Sequence, residues 1–508
     1  MNAPDNARDK VDRPASDWRA SARRWTGLVL GLAAFALLLW LPGPAGMTDA
    51  AWRVTAVASL MAIWWVTEAL PLPATALVPI VLFPVLGIAG VGDATAPYAN
   101  PLIFLFLGGF VLGLALQRWN LHRRIALGIV ARIGTRPDSL VGGFMVATAF
   151  LSMWVSNTAT AVMMLPVALS VIGLVEQRAP DRVDGRARNA FAVSLLLAVA
   201  YAASIGGLGT LIGTPPNALL AGYFSQTYGV TIGFAQWMVL GVPLVVLMLA
   251  LAWWLLTRVL FRVEETALAG AGDIVRAELS ALGPMSTPER LVAIVFAGTA
   301  AAWILRPLLE GWVPGLDDTV IAIAAALVLF IVPSGRGGGL MDWDTARELP
   351  WGVLLLFGGG LTLAAAIADS GLATWLGDAL GGLGAYHGIL IVLVATLGVI
   401  FLTELTSNTA TAAAFIPIVG SVAVGIGMNP FLLTVPVALA ASCAFMLPVA
   451  TPPNAIVYAS GHLHIAHMVR AGLWLNLAAT ALIVALAYAI AGWLFSAPEM
   501  PGPVTPAT

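Results

Sequence analysis

The sequence has little charge, and this scarcity excludes an ordinary water-soluble fold. Only 10% of its 508 residues are Asp, Glu, Lys or Arg, whereas a soluble domain carries about 25% charged residues. Hydrophobic residues make up 60% of the chain, and the mean hydropathy is +0.92. A soluble protein of this composition would have too little polar surface to face water. The composition therefore predicts a membrane protein.

Cysteine is almost absent, which excludes an internal disulfide and a cysteine-based zinc site. The single cysteine, Cys443, lies in an apolar stretch and is interpreted as a small buried side chain. The alternation of polar and apolar residues that marks transmembrane β-strands is also lacking. Instead, apolar runs of about 20 residues recur, each long enough to cross ~30 Å of hydrocarbon as a helix. These runs predict an all-α polytopic membrane protein.

The apolar runs predict about eleven transmembrane helices. Their bounds are 25–41, 51–68, 73–90, 101–117, 189–225, 236–261, 290–308, 318–333, 351–368, 431–461 and 468–495. Two further stretches, 138–175 and 388–422, carry a polar Ser-Asn-Thr triplet in the middle. We interpret these two as re-entrant hairpins, which enter and leave the membrane on the same side. The polar segment 1–24 and the Pro-rich segment 496–508 are predicted to be disordered tails, the first of them cytoplasmic.

The positions of the basic residues support this topology. With the N-terminus in the cytoplasm, all of the 24 Lys and Arg residues except Arg53 and Arg306 lie in predicted inner segments. The predicted outer segments 221–235 and 370–387 carry none. A full crossing in place of either hairpin would invert every later loop and remove this bias. We therefore expect a multi-pass protein of a bacterial-type inner membrane, with its N-terminus cytoplasmic and its C-terminus outside.

Three sequence signals occur twice and in the same order. Ser-Asn-Thr-Ala-Thr-Ala stands at 156–161 and at 407–412, Thr-Pro-Pro-Asn-Ala at 214–218 and at 451–455, and a Phe-Gly-rich segment at 106–109 and at 357–360. The predicted topology inserts the first hairpin from inside and the second from outside, so the halves form an inverted repeat. Inverted repeats with broken helices at matching positions are typical of transporters whose site lies near the midplane.

The repeated prolines predict helix breaks that suit an anion and a small cation. Proline lacks an N–H and clashes with the preceding turn, so 189–225 and 431–461 should each be two half-helices joined by an unwound stretch. Irregular backbone at membrane depth is tolerated where it is buried or lines a wet cavity. Half-helix N-termini present free N–H groups to a carboxylate. Freed carbonyl and side-chain oxygens suit Na⁺, a hard cation that prefers oxygen.

The inferred site contains no Lys or Arg. A fixed cation would hold a dianion tightly and slow its release, whereas a neutral site gains positive charge only by binding cations first. Sodium then raises the affinity for the anion, and the anion raises the affinity for sodium equally. One Ser-Asn-Thr triplet alone is typical of a helix cap or a polar contact between helices. Two triplets at matched positions, each followed by a Pro-Pro break, favour a transport site.

These motifs, together with residues 65–71, resemble the divalent anion/sodium symporter family, which transports dicarboxylates, citrate and sulfate. The resemblance covers roughly residues 25–495. It implies a homodimer in which each protomer has a scaffold domain and a moving transport domain and works as an elevator. The expected partners are a small dianion, sodium ions, membrane lipid and a second copy of the chain. No nucleic acid, no organic cofactor and no enzymatic activity are expected.

The resemblance also implies an organisation and a set of site residues. The implied units are scaffold helices at 25–100, a first repeat at 101–261, a cytoplasmic linker at 262–289, scaffold helices at 290–350 and a second repeat at 351–495. The implied substrate ligands are Asn157, Thr158, Thr214, Ser407, Asn408, Thr409, Thr451 and Pro452. The implied sodium ligands are Ser152, Ser156, Asn157 and Gly213 for one ion, and Thr403, Thr406, Asn408 and Ala450 for the other.

Several functions remain open at this point. Sodium-coupled uptake of C4-dicarboxylates (succinate, malate, fumarate) is favoured, with sodium-independent dicarboxylate exchange and citrate or sulfate symport as alternatives. An intramembrane enzyme would need a nucleophile or a metal site, for which the only candidates are His462, His464 and His467, interpreted here as loop residues. Glu404, at membrane depth, is interpreted as an acceptor for backbone N–H groups. Glu68 is expected at the membrane interface.

Overall fold

A computed structural model describes most of the chain. The described residues are 16–134, 136–178, 185–263, 271–491 and 494. Residues 1–15 and the predicted tail 496–508 lie outside them. The first helix begins at Ser16, so residues 16–24, which the composition predicts to be disordered, are helical. This segment contains no proline or glycine, and it therefore extends the first apolar helix without interruption.

The described residues form α-helices joined by short loops, and no β-strand occurs among them. The helices are α1 (Ser16–Trp40), α2 (Asp49–Thr67), α3 (Leu72–Thr75), α4 (Val78–Val85), α5 (Val91–Thr95), α6 (Pro101–Arg118), α7 (Leu121–Ile133), α8 (Pro137–Ser152), α9 (Asn157–Arg178), α10 (Gly185–Gly207), α11 (Pro215–Tyr228), α12 (Phe234–Trp254), α13 (Ala271–Ala281), α14 (Thr287–Leu309), α15 (Asp318–Ile331), α16 (Trp343–Ala346), α17 (Trp351–Asp369), α18 (Leu372–Ala379), α19 (Gly388–Thr403), α20 (Asn408–Gly425), α21 (Pro430–Ala441), α22 (Pro452–Tyr458) and α23 (Ile465–Leu486). The predicted all-α fold class is confirmed.

Within the described ranges, eight helical segments are long and apolar enough to cross a membrane. They are Asp49–Thr67, Val91–Arg118, Ala190–Gly207, Phe234–Leu260, Thr287–Leu309, Trp351–Asp369, Asn408–Gly425 and Ile465–Ile490. Shorter apolar helices occupy other predicted spans, among them 24–40 and 318–331. The polytopic membrane fold is therefore confirmed, while the total of about eleven crossings stays a prediction.

The predicted span 73–90 is not one helix. It is divided into the short helices α3 and α4, with Ala76 and Leu77 between them. Pro73 and Pro79 each lie in the first turn of one of these helices. Proline is well accommodated there because the first N–H groups of a helix have no intrahelical partner. Each proline thus starts a new short helix instead of continuing the previous one.

Both triplet stretches consist of two helices joined by a non-helical tip. In the first, α8 and α9 are joined by residues 153–156, and in the second, α19 and α20 are joined by residues 404–407. Both Thr-Pro-Pro stretches also interrupt their helices: residues 208–214 separate α10 from α11, and residues 442–451 separate α21 from α22. We call residues 153–156 and 404–407 the tips, and residues 208–214 and 442–451 the unwound loops.

After each unwound loop, the helix that follows packs against helices of the other half of the molecule. Helix α11 packs against α17, α20 and α21, whereas α22 packs against α9 and α10. At the repeated Phe-Gly segments, the rings of Phe106 and Phe357 meet edge to face, with centroids 5.0 Å apart. Residues at matching positions of the two copies therefore contact each other in the buried interior.

The glycines of these segments permit close helix packing. A side-chain carbon at Gly108 would come within 2.6 Å of the Ala322 backbone, and one at Gly359 within 2.4 Å of the Ala76 backbone. Only glycine fits such an approach. The repeat thus brings α6 against α15 and α17 against α3 in the same manner.

Candidate anion and sodium site

One cavity of about 990 Å³ lies between the two halves, and both tips and both unwound loops line it. All of the residues implied as substrate ligands contribute to its lining: Asn157, Thr158, Thr214, Ser407, Asn408, Thr409, Thr451 and Pro452. Most of the residues implied as sodium ligands line it as well: Ser156, Asn157, Gly213, Thr406, Asn408 and Ala450. Ser152 and Thr403 do not, because they are fully buried behind the tips.

Four helices begin at this cavity. Their first residues, Asn157 of α9, Pro215 of α11, Asn408 of α20 and Pro452 of α22, all belong to its lining. The first N–H groups of a helix have no intrahelical partner and carry partial positive charge. Helices α11 and α22 each begin with two prolines, which lack an N–H, so the free N–H groups at the cavity are those at the start of α9 and α20. These groups offer an anion hydrogen-bond donors without any positively charged side chain.

In the first half, Ser152 anchors the amide of Asn157 to the broken helix behind it. The Ser152 hydroxyl lies 2.6 Å from Oδ1 of Asn157 and 2.6 Å from the carbonyl oxygen of Ala203 in α10. Both partner atoms are acceptors, so they share the single proton of the hydroxyl. The tip side chain is thereby fixed relative to α10.

In the second half, Thr403 makes the same arrangement. Its hydroxyl lies 2.8 Å from Oδ1 of Asn408 and 2.9 Å from the carbonyl oxygen of Ala441 in α21. Ser152 and Thr403 occupy matching positions of the repeat. Both tip asparagines are therefore anchored in the same way.

The first unwound loop brings two of the implied sodium ligands together. A side-chain carbon at Gly207 would lie 2.9 Å from Oδ1 of Asn157 and 3.1 Å from the carbonyl oxygen of Gly213. The absence of a side chain at Gly207 leaves room for both oxygens beside the loop. Side-chain and carbonyl oxygens of this kind are the ligands that hard cations prefer.

The second tip contains the buried carboxylate of Glu404. Its oxygens accept hydrogen bonds from the backbone N–H groups of Phe445 at 2.6 Å, Met446 at 2.8 Å and Leu447 at 3.1 Å, all in the second unwound loop. The amide of Asn476 in α23 donates a fourth, at 2.8 Å. Glu404 is thus an acceptor for backbone N–H groups, as the sequence predicts. Asn476 was not predicted, although a lone amide within an apolar helix was a signal for it.

The lining of the cavity also includes polar residues that the sequence did not assign to the site. Glu68, Gln117 and Glu348 belong to its lining, so Glu68 lies at the cavity as well as at the end of α2. Among the described residues, no Lys or Arg contributes to the lining. The neighbouring Arg118 pairs with Asp342 at 2.5 Å, and this hydrogen bond holds the pKa of the Asp342 carboxyl well below its usual range.

The residues that precede the two triplets differ in their surroundings. Trp154 stacks on Phe234 and Trp303 and meets Phe296 edge to face, so it is 9% exposed. Leu405, at the matching position of the second tip, is 65% exposed and lines the cavity. The first tip is therefore packed against α12 and α14, and the second tip lacks such packing.

The histidine loop lies apart from the cavity. The rings of His464 and His467 are 5.3 Å apart, and His467 meets Phe261 edge to face. No group of three or more His, Cys, Asp or Glu residues in the described part of the chain is placed to hold a metal ion. None of the three histidines is among the residues that line the cavity.

The fold and the shared cavity define the class of a polytopic membrane transporter. The YdaH transporter of Alcanivorax borkumensis has a similar structure, with a TM-score of 0.53 and 15% identity over 95% of this chain and 100% of that one. MtrF of Neisseria gonorrhoeae, described among antimetabolite efflux pumps, has a TM-score of 0.54 and 15% identity over 96% and 97% of the two chains. At this identity the similarity shows the fold alone.

The sequence itself identifies the family. The family described as sodium:sulfate symporter transmembrane region matches residues 22–497. The chain belongs to this family, which confirms the resemblance noted from the motifs. It is 44% identical over 468 residues, or 91% of this chain and 90% of the relative, to the sodium-dependent dicarboxylate transporter SdcS of Staphylococcus saprophyticus. The protein of the same name from Staphylococcus aureus is also 44% identical, over 477 residues covering 92% and 91% of the two chains.

Proposed function

We propose that the protein is a secondary active transporter that couples sodium to the uptake of C4-dicarboxylates such as succinate, malate and fumarate. The observation that carries this proposal is the single cavity in which both Ser-Asn-Thr tips and both unwound loops meet. The names of the two Staphylococcus relatives support sodium and a dicarboxylate as the cargo. Sodium is here a transported ion and not a resident cofactor.

The chemistry of the lining explains how the two cargoes depend on each other. Hydroxyls, amides and helix N-termini offer neutral donors to two carboxylates. Without a fixed positive side chain, these donors alone bind a dianion weakly. Sodium bound at the Asn157 and Asn408 amides supplies the missing charge, so each cargo raises the affinity for the other by the same factor.

We infer that the structure is the inward-facing form. Glu68, Gln117 and Glu348 line the cavity, and because Glu68 and Glu348 are also exposed we place its mouth beside them. These residues lie at or beside segments 69–72, 118–136 and 334–350, which the positive-inside bias assigns to the cytoplasm. The mouth therefore opens toward the cytoplasm, and the two glutamates there attract cations and repel a released dianion.

The proposal extends to the mechanism and the assembly. The hairpins and broken helices form the moving transport domain of an elevator, and α1–α5 and α14–α16 supply the scaffold. The packing of Trp154 against Trp303 and Phe296 of α14 marks one contact between the two domains in the inward-facing form. The protein is a homodimer in the lipid of a bacterial-type inner membrane, with its N-terminus cytoplasmic and its C-terminus outside.

Uptake of radiolabelled succinate into proteoliposomes tests the proposal. An inward sodium gradient should drive accumulation, and replacement of Na⁺ by choline should reduce it to the level of protein-free vesicles. Asn157→Ala and Asn408→Ala should each abolish uptake, because each removes an amide at the cavity. His464→Ala is the matched control and should leave uptake unchanged.

Additional arms separate the alternatives. Uptake that needs internal succinate and ignores sodium would identify an exchanger. Stronger competition by unlabelled citrate or sulfate than by malate or fumarate would change the assigned cargo. Loss of function in His464→Ala together with tolerance of Asn157→Ala would contradict transport through the tips and favour chemistry at the histidine loop.

A further inference from the structure

The two unwound loops are closed by matching asparagines that do not belong to the implied ligand sets. Asn217 and Asn454 follow the two Thr-Pro-Pro sequences and lie in the first turns of α11 and α22. Both are fully buried, at 0% exposure. Each therefore lies inside the protein, at the point where its broken helix resumes.

Asn217 bridges the first loop at two points. Its Nδ2 donates to the carbonyl oxygen of Gly207 at 3.0 Å and to that of Thr210 at 2.8 Å. Gly207 is the last residue of α10, and Thr210 lies within the loop. A single amide group thus ties the start of α11 to the end of α10 and to the loop between them.

Asn454 makes a matching pair of hydrogen bonds in the second half, where both acceptors lie within the loop 442–451. Its Nδ2 donates to the carbonyl oxygen of Ala444 at 3.2 Å and to that of Leu447 at 3.0 Å. The two acceptors lie the same distances back along the chain as in the first half. The same pair of hydrogen bonds therefore occurs in both halves of the repeat.

Each bridge is connected to a residue implied as a sodium ligand. The Thr210 carbonyl that accepts from Asn217 also accepts from the N–H of Gly213, at 3.4 Å. In the second half, the Leu447 carbonyl accepts from both Asn454 and the N–H of Ala450, at 3.2 Å for the latter. The asparagines thus fix the loop carbonyls that in turn hold Gly213 and Ala450.

The oxygen of each side-chain amide makes no hydrogen bond in the described part of the chain, so the interactions of these asparagines are made by their N–H donors. Oδ1 of Asn217 and Oδ1 of Asn454 have no hydrogen-bond partner within the described ranges. A buried acceptor without a partner lowers stability. An apolar residue would avoid that cost, so the two donor bonds are the feature that distinguishes asparagine at these positions.

We propose that Asn217 and Asn454 are positioning residues of the two sodium sites, each shaping the loop of its own half. This inference rests on the proposed function, in which Gly213 and Ala450 hold sodium with their carbonyl oxygens. Without the bridge the loop gains alternative conformations, and ordering it again opposes cation binding. Neither asparagine has to touch the ion or the dicarboxylate.

Sodium titrations of purified variants test the proposal. The increase in thermal stability in Na⁺ relative to isotonic choline, in the absence of any dicarboxylate, measures sodium binding to the folded state. Asn217→Ala and Asn454→Ala should each raise the half-saturating sodium concentration by about tenfold, the expected effect of losing two hydrogen bonds. At saturating Na⁺, the half-saturating succinate concentration should change less than about twofold.

Thr227→Val is the matched control. Thr227 lies on the same helix as Asn217, is buried, and has a hydroxyl without a partner in the described part of the chain. The substitution keeps the shape of the side chain and should leave the sodium titration unchanged. An equal shift in this control and in Asn217→Ala would overturn the proposal, because any buried change on α11 would then suffice.

Hydrogen exchange of the loop amides provides a second readout if a variant binds no sodium. The isosteric Asn217→Asp, which replaces the amide NH2 group by an oxygen that faces two carbonyl oxygens, should speed exchange in 207–214 and leave 442–451 unchanged. Asn454→Asp should do the opposite. Unchanged exchange in both loops would refute the bridge. A wild type without any sodium response would instead refute the proposed function, so the two failures are distinguishable.

Discussion

The two halves of the molecule share the hydrogen bonds that fix the tip asparagines and the unwound loops, and they differ in how the residues just before each triplet are held. Ser152 with Asn157 is matched by Thr403 with Asn408, and the loop bridge of Asn217 is matched in the second half. These are the contacts that hold oxygens and amides at the proposed site. Their repetition indicates that both halves have to present the same chemistry to the cargo.

In the residues that precede the triplets, the two halves diverge. Met153 and Glu404 occupy matching positions of the two tips. The backbone carbonyl of Met153 accepts a hydrogen bond from the Thr210 hydroxyl at 2.5 Å. The carboxylate of Glu404 instead accepts hydrogen bonds from three backbone N–H groups of the second unwound loop. The first tip is instead packed by Trp154, and the second carries the exposed Leu405. The first tip is thus anchored by aromatic packing, and the second by a buried carboxylate.

The largest difference is expected from removing the carboxylate. Glu404→Ala leaves three buried N–H groups and the Asn476 amide without their acceptor, which should lower the free energy of unfolding by about 4–5 kcal/mol. Met153→Leu, at the matching position, should cost less than about 1.5 kcal/mol because it conserves volume. Denaturant unfolding of the detergent-purified variants measures both. Equal losses in the two variants would contradict the divergence of the anchors.

The aromatic anchor should produce the next largest effect. Trp154→Ala removes the ring that stacks on Phe234 and Trp303, and it should cost about 3 kcal/mol, since one side of the ring borders the cavity. Leu405→Ala should stay within about 0.5 kcal/mol because that side chain is exposed. The same unfolding assay compares them. A larger loss of stability for Leu405→Ala than for Trp154→Ala would contradict the assignment of Trp154 as the anchor of the first tip.

The smallest expected difference concerns the second threonine of each Ser-Asn-Thr-Ala-Thr segment. The Thr411 hydroxyl lies 2.7 Å from that of Thr406, so Thr411→Val should cost about 1 kcal/mol. The Thr160 hydroxyl is buried without a partner in the described part of the chain, since Val155 takes the place of Thr406. Thr160→Val should therefore be neutral or stabilise by up to about 1 kcal/mol. Equal destabilisation of both variants would contradict the claim that only the Thr411 hydroxyl contributes a stabilising hydrogen bond.

The sequence predicts the shared part of the site better than the anchors. Prolines and repeated triplets are local signals, so the tips, the unwound loops and residues such as Asn157 and Asn408 are recognisable in the sequence alone. The partners of Trp154 and the contact between Glu404 and Asn476 join segments far apart in the chain, which no local pattern specifies. The amides of Asn217 and Asn454 lie within a repeated motif, but their role depends on how the loops fold back.

Equilibrium binding of radiolabelled succinate to the purified protein tests the central claim most directly. The account predicts saturable binding in Na⁺, none above background in choline, and loss of binding in both Asn157→Ala and Asn408→Ala, because the dianion needs both tips and the charge that sodium brings. Binding that persists unchanged in choline, or that survives either substitution with wild-type affinity, would contradict a single sodium-charged cavity shared by the two tips.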